Sequence, residues 1–108
     1  MKRGELYRIY RGNKNDPKDF RVFVIVSRQV SIDSRFSTVI CAPVYSRSDG
    51  LSTQFGVGIS EGWKKSSSVF CDELLSIEKH RLTDFVGSLD PKKMAQLEKC
   101  LRIAVGVE

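Results

Sequence analysis

Histidine is almost missing from this chain: one residue, His80, in 108. Cysteine occurs three times (Cys41, Cys71 and Cys100), never as a Cys-x-x-Cys pair. Thiols so far apart, with one imidazole among them, exclude a zinc centre and a disulfide framework. No metal and no cofactor are therefore expected. No apolar run approaches the roughly 18–20 residues of a membrane span. The N-terminus lacks the apolar stretch and small-residue cleavage site of a signal peptide, so the cytoplasm is the expected location and no membrane partner is expected. A glycine-rich phosphate loop before a helix and a Gly-x-Ser-x-Gly elbow are both absent, which removes two large enzyme classes. The length of 108 residues allows a single domain over 1–108 and rules out a two-domain enzyme. What is there, 41% apolar and 29% charged side chains, is the composition of a folded globular protein.

The charge is unevenly placed. The formal net charge of +5 arises in residues 1–35, which hold nine basic and four acidic groups, whereas the rest holds nine of each. Such a basic third is the electrostatic footprint of a surface that meets phosphates.

Periodicity predicts a mostly β chain. Glu5 to Tyr10 alternates as a strand, and Arg11 to Asp19 has the composition of a loop. Arg21 opens the run Val22 to Val26, and Thr38 to Ala42 forms a second such run, expected to end at Pro43. The stretch Arg28 to Ser37 reads as a polar connection. A weaker strand is expected over Phe55 to Ile59. Val69–Cys71 and Leu74–Ile77 read as one long strand, or as two joined by a bulge at Asp72 and Glu73. Lys79 to Leu82 suggests a helical turn, and Phe85 to Leu89 a last strand. Asp90 followed by Pro91 is a helix start, Met94, Leu97, Leu101 and Ala104 form one apolar stripe, and Gly106 is the stop. Glu98 and Arg102 stand at i,i+4 on that helix. Antiparallel strands with one packed C-terminal helix predict a small barrel-like sheet.

Three places carry candidate chemistry. Arg21, where the first loop meets a buried strand, can aim its guanidinium at a phosphate. Tyr45 and Ser46 place two hydroxyl groups beside the next loop, and antiparallel pairing of the two runs would bring them to Arg21. Asp72 follows the apolar trio Val69–Cys71, and burial near Arg21 would keep it ionised. Arg11, Lys14, Lys18 and Arg47 suit a nucleic-acid backbone, while Asn13, Asn15, Tyr45 and Trp63 suit its bases. His80 sits in a charged surface run and carries no expected role.

In order along the chain come Arg3-Gly4-Glu5-Leu6-Tyr7, Arg21 before an apolar strand ending in Ser27, and Thr38 to Val44 before a hydroxyl pair. Ser68-Val69-Phe70-Cys71-Asp72, Ile77 to Lys79 with Arg81-Leu82, Val86-Gly87-Ser88-Leu89 and the helix stripe follow. This succession resembles the MazF/PemK/Kid family of toxin endoribonucleases over nearly the whole chain. The resemblance implies an SH3-like barrel of five to seven antiparallel strands with a C-terminal helix, and a homodimer. It also implies metal-independent cleavage of single-stranded RNA, with the 2′-hydroxyl attacking phosphorus to give a cyclic phosphate and a 5′-hydroxyl. Growth arrest would follow from cutting messenger RNA. A cognate antitoxin would be the protein partner, and operator DNA would be reached only through it. By the same resemblance Arg21 is the phosphate-binding arginine, Asp72 a candidate base, and Tyr45 and Ser46 stand for a threonine–serine pair.

Departures from the pattern are specific. Val22 replaces a proline, Tyr45 a threonine and Phe70 a second arginine found in some members, and the first loop has no histidine. They leave a non-catalytic nucleic-acid-binding barrel as one alternative. A gyrase inhibitor like CcdB is the other, against which stands the lack of a tryptophan near the C-terminus.

Overall fold

The structure is a computed structural model that describes residues 1–12, 20–58 and 66–107. Among the described residues seven strands and two α-helices follow one another: β1 (Glu5–Tyr10), β2 (Phe20–Ile25), α1 (Gln29–Ile32), β3 (Thr38–Tyr45), β4 (Gln54–Val57), β5 (Ser67–Phe70), β6 (Leu75–Glu78), β7 (Asp84–Ser88) and α2 (Pro91–Val105). All pairings are antiparallel, in the order β4-β5-β3-β2-β1-β7, with β6 also on β3. The sheet is curled into a half-barrel with the C-terminal helix packed on it, the expected fold class.

Alternation in β1 and β2 builds two cores, one on each face of the sheet. Leu6, Val22, Val24 and Val26 join Val44, Val69, Leu97 and Cys100 beneath α2. Tyr7, Ile9, Phe23 and Ile25 join Ile32, Val39, Ile77 and Leu82 on the opposite face. A strand buried on both faces has to be apolar at every position, which is why residues 22–26 read as an unbroken run.

β3 passes through Pro43 and ends at Tyr45, two residues later than expected. Ile40 turns its polar backbone towards the β2 side, accepting from Val26 N and donating to Ser27 Oγ. Strand alternation then points Pro43 to the opposite edge. There β6 pairs only as far as Cys41 and β5 begins at Val44, so the missing N–H falls in a gap between two ladders. The stretch read as a polar connection contains α1, whose Ile32 fills the second core. β5 starts at Ser67, two residues before the expected Val69, and a 3-10 turn, Cys71–Glu73, separates it from β6. Another such turn, Lys79–Arg81, stands where a helical turn was expected.

α2 begins and ends as read. The Asp90 side chain accepts from Lys93 N at 2.8 Å, and Gly106 closes the helix in the left-handed region at φ 72°. Lys93, unfavourable for the dipole in the first turn, donates through Nζ to Gly56 O at 2.6 Å and ties the helix to β4. Glu98 pairs with Arg3 at 3.3 Å rather than with Arg102. Gly4 has φ 90° and a Cβ there would lie 2.5 Å from Met94 Sδ, which accounts for glycine after Arg3. Among the described residues no helix is long and apolar enough to cross a membrane.

Candidate active site

Arg21 is the second residue of β2 and pairs with Ile9. One step beyond the Val22–Val44 pair, it faces Tyr45 at the end of β3. Both residues share the alternation of the second core, Phe23 and Ile25 on one strand and Val39 and Cys41 on the other. The Arg21 guanidinium lies 4.7 Å from the centre of the Tyr45 ring. Arg47 reaches back from the following loop, its guanidinium 4.9 Å from the ring centres of both Tyr45 and Phe70. These two rings meet edge to face at 4.7 Å and 83°. An arginine over an aromatic face is held by the ring quadrupole, and Arg47 Nε also pairs with Asp49 at 3.6 Å.

The Tyr45 hydroxyl donates to Glu73 Oε1 at 2.9 Å. Burial raises the Tyr45 pKa first, the hydrogen bond to Glu73 and its charge raise it further, and Arg21 partly opposes them. Tyr45 is thus a neutral phenol at pH 7, linking a carboxylate to a guanidinium. Ser46 lies at the same end of β3, beside a recess of about 320 Å³ lined by Arg47, Ser48, Ser66, Ser67 and Ser68 as well.

The structure corrects the expected setting of Asp72. It is exposed and accepts from Thr53 Oγ1, instead of being buried near Arg21. A 3-10 turn rotates successive residues by about 120°, so Cys71 points into the core, Asp72 to Thr53 and Glu73 to Tyr45. The carboxylate of the cluster is Glu73, which the sequence displayed only as the neighbour of Asp72.

Of the expected RNA-binding residues, Arg11 and Arg47 are exposed. Asn13, Lys14, Asn15 and Lys18 lie outside the described residues, as does Trp63. Part of the basic N-terminal third is taken up in ion pairs, Arg3 with Glu98 and Arg8 with Asp84 at 3.8 Å. His80 is exposed and within 2.6 Å of Glu78. All three thiols are buried, Cys41 and Cys71 with pKa values pushed up to about 12 by burial, which leaves them inert as nucleophiles. Among the described residues no cluster of three metal-ligating side chains occurs.

Chemically, two guanidinium groups, a phenol, serine hydroxyls and a carboxylate converge at one end of the sheet. That set can hold a phosphodiester and offer a carboxylate to a proton.

Several solved structures share this fold along nearly their whole length. A mycobacterial endoribonuclease solved with its cognate antitoxin superposes with a TM-score of 0.84 at 21% identity, covering 100% of this chain and 97% of that one. The Mycobacterium tuberculosis toxin MazF-mt6 gives 0.81 at 21% identity, covering 96% and 98%. A MazE-MazF complex from Deinococcus radiodurans gives 0.79 at 16% identity, covering 100% and 97%. No curated protein matches the sequence. The family model for the PemK-like, MazF-like toxin of type II toxin-antitoxin systems matches residues 2–105. The chain belongs to this toxin family.

Proposed function

We propose that this toxin is a metal-independent, sequence-specific endoribonuclease, a single domain over 1–108 that works as a homodimer on single-stranded RNA. The observation that carries the proposal is the pair of arginines, Arg21 and Arg47, stacked over Tyr45 at the mouth of the sheet. Stacking holds both cations side by side at one edge of the sheet, and cations preorganised against the charge that develops on a phosphate under attack lower such barriers. It also bears on the departure at Phe70. Some family members carry a second arginine there, and here Arg47 supplies a guanidinium over the Phe70 ring from another loop.

In the reaction the RNA 2′-oxygen forms a bond to the adjacent phosphorus and the P–O5′ bond breaks, leaving a cyclic phosphate and a 5′-hydroxyl. Arg21 and Arg47 neutralise the non-bridging oxygens. The 2′-hydroxyl proton passes to Glu73, the carboxylate of the cluster, while Asp72, the base that the resemblance implies, is turned to Thr53. The leaving 5′-oxygen takes a proton from Arg21 or from water. Ser46 donates to the phosphate, and Tyr45 positions the arginines. Arg11 and the loop residues Asn13, Lys14, Asn15 and Lys18 track the strand.

The cellular consequence is cleavage of messenger RNA and arrest of translation and growth in the cytoplasm. A cognate antitoxin restrains the toxin and carries it to operator DNA. The proposal is tested by incubating the purified protein with a long unstructured RNA in EDTA and mapping the ends. Discrete cuts with 5′-hydroxyl ends support it, whereas RNA bound but left intact assigns the chain to non-catalytic nucleic-acid binding.

A further inference from the structure

Thr53, the last residue before β4, is buried, only 8% exposed, yet it gives its side-chain proton to a carboxylate that stands in solvent. Its Oγ1 donates to Asp72 Oδ2, and its backbone carbonyl accepts from Cys71 N at 3.0 Å. One residue thus holds the first and second members of the 3-10 turn Cys71–Glu73. The third member, Glu73, accepts from the Tyr45 hydroxyl. On either side of the turn Phe70 meets the Tyr45 ring edge to face and Leu74 packs on the first core.

A hydrogen bond to an exposed carboxylate competes with water and adds little to stability. What it does fix is direction. Successive side chains of a 3-10 turn stand about 120° apart, so holding Asp72 at Thr53 sets the side from which Glu73 leaves the turn, the side of Tyr45. The same hydroxyl joins the two segments that bring charge to the site. Thr53 closes the connection that begins with Ser46 and Arg47. Within that connection Arg47 Nε pairs with Asp49 at 3.6 Å, and Asp49 N donates to Gln54 Oε1 at 2.9 Å. Arg47 and Glu73 are therefore both referred to the end of one strand.

We propose that Thr53 is a positioning residue: through Asp72 its hydroxyl holds the turn in the rotation that aims Glu73 at Tyr45 and keeps Asp72 out of the site. The aim of Glu73 stands on its own; the consequence for cleavage rests on the ribonuclease reading.

The test reads the Tyr45 hydroxyl by phenolate absorbance, each variant against the same protein with Tyr45→Phe, over the pH range in which circular dichroism shows the fold intact. Burial first, then the bond and charge of Glu73, hold the Tyr45 pKa up, so a Glu73 that turns away lets it fall. Thr53→Val puts a methyl group in place of the hydroxyl, and Asp72→Ala removes the acceptor. Both move the titration down, in the direction of Glu73→Gln. Thr53→Ser restores the wild-type titration, and Thr53→Val adds nothing in the Asp72→Ala background, as for two members of one contact. On RNA, Thr53→Val lowers kcat about tenfold at unchanged KM, part of the roughly 100-fold that a misplaced group can cost, and Thr53→Ser recovers it. The proposal falls if Thr53→Val lowers the urea midpoint but titrates as the wild type, or if Thr53→Ser titrates as Thr53→Val. It also falls if Thr53→Val raises KM and leaves kcat intact. Failure of the ribonuclease reading is a separate result: the titrations move as stated, and neither the wild type nor any variant cuts RNA.

Discussion

The Tyr45 hydroxyl donates to Glu73 while the Tyr45 ring lies beneath the Arg21 guanidinium, so one side chain couples the carboxylate of the cluster to its cation. A threonine at this position has no ring to carry an arginine. The phenol makes the hydroxyl part of a scaffold, which is how a departure from the family pattern keeps an ordered site.

This coupling predicts a titration. Replacing Glu73 by Gln removes a negative charge and a charged acceptor from the phenol, and the Tyr45 pKa, read from phenolate absorbance against a Tyr45→Phe blank, moves down towards the ordinary tyrosine value. Cleavage slows in Glu73→Gln, whereas Asp72→Asn leaves the Tyr45 titration unchanged. An unmoved Tyr45 titration in Glu73→Gln contradicts the coupling.

A second prediction concerns alkaline stability. Cys41 and Cys71 are pushed by burial from 9.0 to about 12, and Tyr7 from 10.0 to about 12 by burial and by its hydrogen bond to Glu5. The folded state holds these protons more tightly than the unfolded chain, so their stabilisation is complete below about pH 9 and is lost as pH rises towards 12. The urea midpoint therefore falls steadily above pH 9. At pH 8 a thiol reagent labels the native protein slowly and the unfolded protein at once.

Much of this frame is legible in the sequence, and the reasons differ by element. β1, β2 and α2 are set by local signals: alternation, an unbroken apolar run, and Asp90-Pro91 with Gly106 at the two ends. The extension of β3 through Pro43 is not local, because it depends on where β5 and β6 leave an unpaired stretch of edge. α1, Gln29–Ile32, is too short to show a helical period, and its Gln29 is held by the chain terminus, accepting from Arg3 N at 2.9 Å. In the site, Arg21 with Tyr45 follows from antiparallel neighbours ending at one edge. Glu73 in place of Asp72 turns on the rotation of a single 3-10 step. Arg47 over Phe70 joins two segments more than 20 residues apart, which no spacing rule connects.

The helix makes a third prediction, on stability alone. Leu97 is fully buried between α2 and the sheet, and Leu97→Ala costs about 2–5 kcal/mol. Asp90→Ala removes the cap that Lys93 N uses and costs about 0.5–2 kcal/mol. Both values are read from the midpoint of urea unfolding at an unchanged slope. A loss below about 1 kcal/mol for Leu97→Ala contradicts the packing described here.

The most direct measurement is the rate of RNA cleavage in EDTA by the wild type and by Arg21→Ala, with the folding of both established by circular dichroism and urea midpoint. The account predicts discrete cuts with 5′-hydroxyl ends whose rate drops by about 100-fold or more in Arg21→Ala, as expected for loss of a donor aimed at developing charge. Equal cleavage by the two proteins, or RNA retained intact by both, contradicts it.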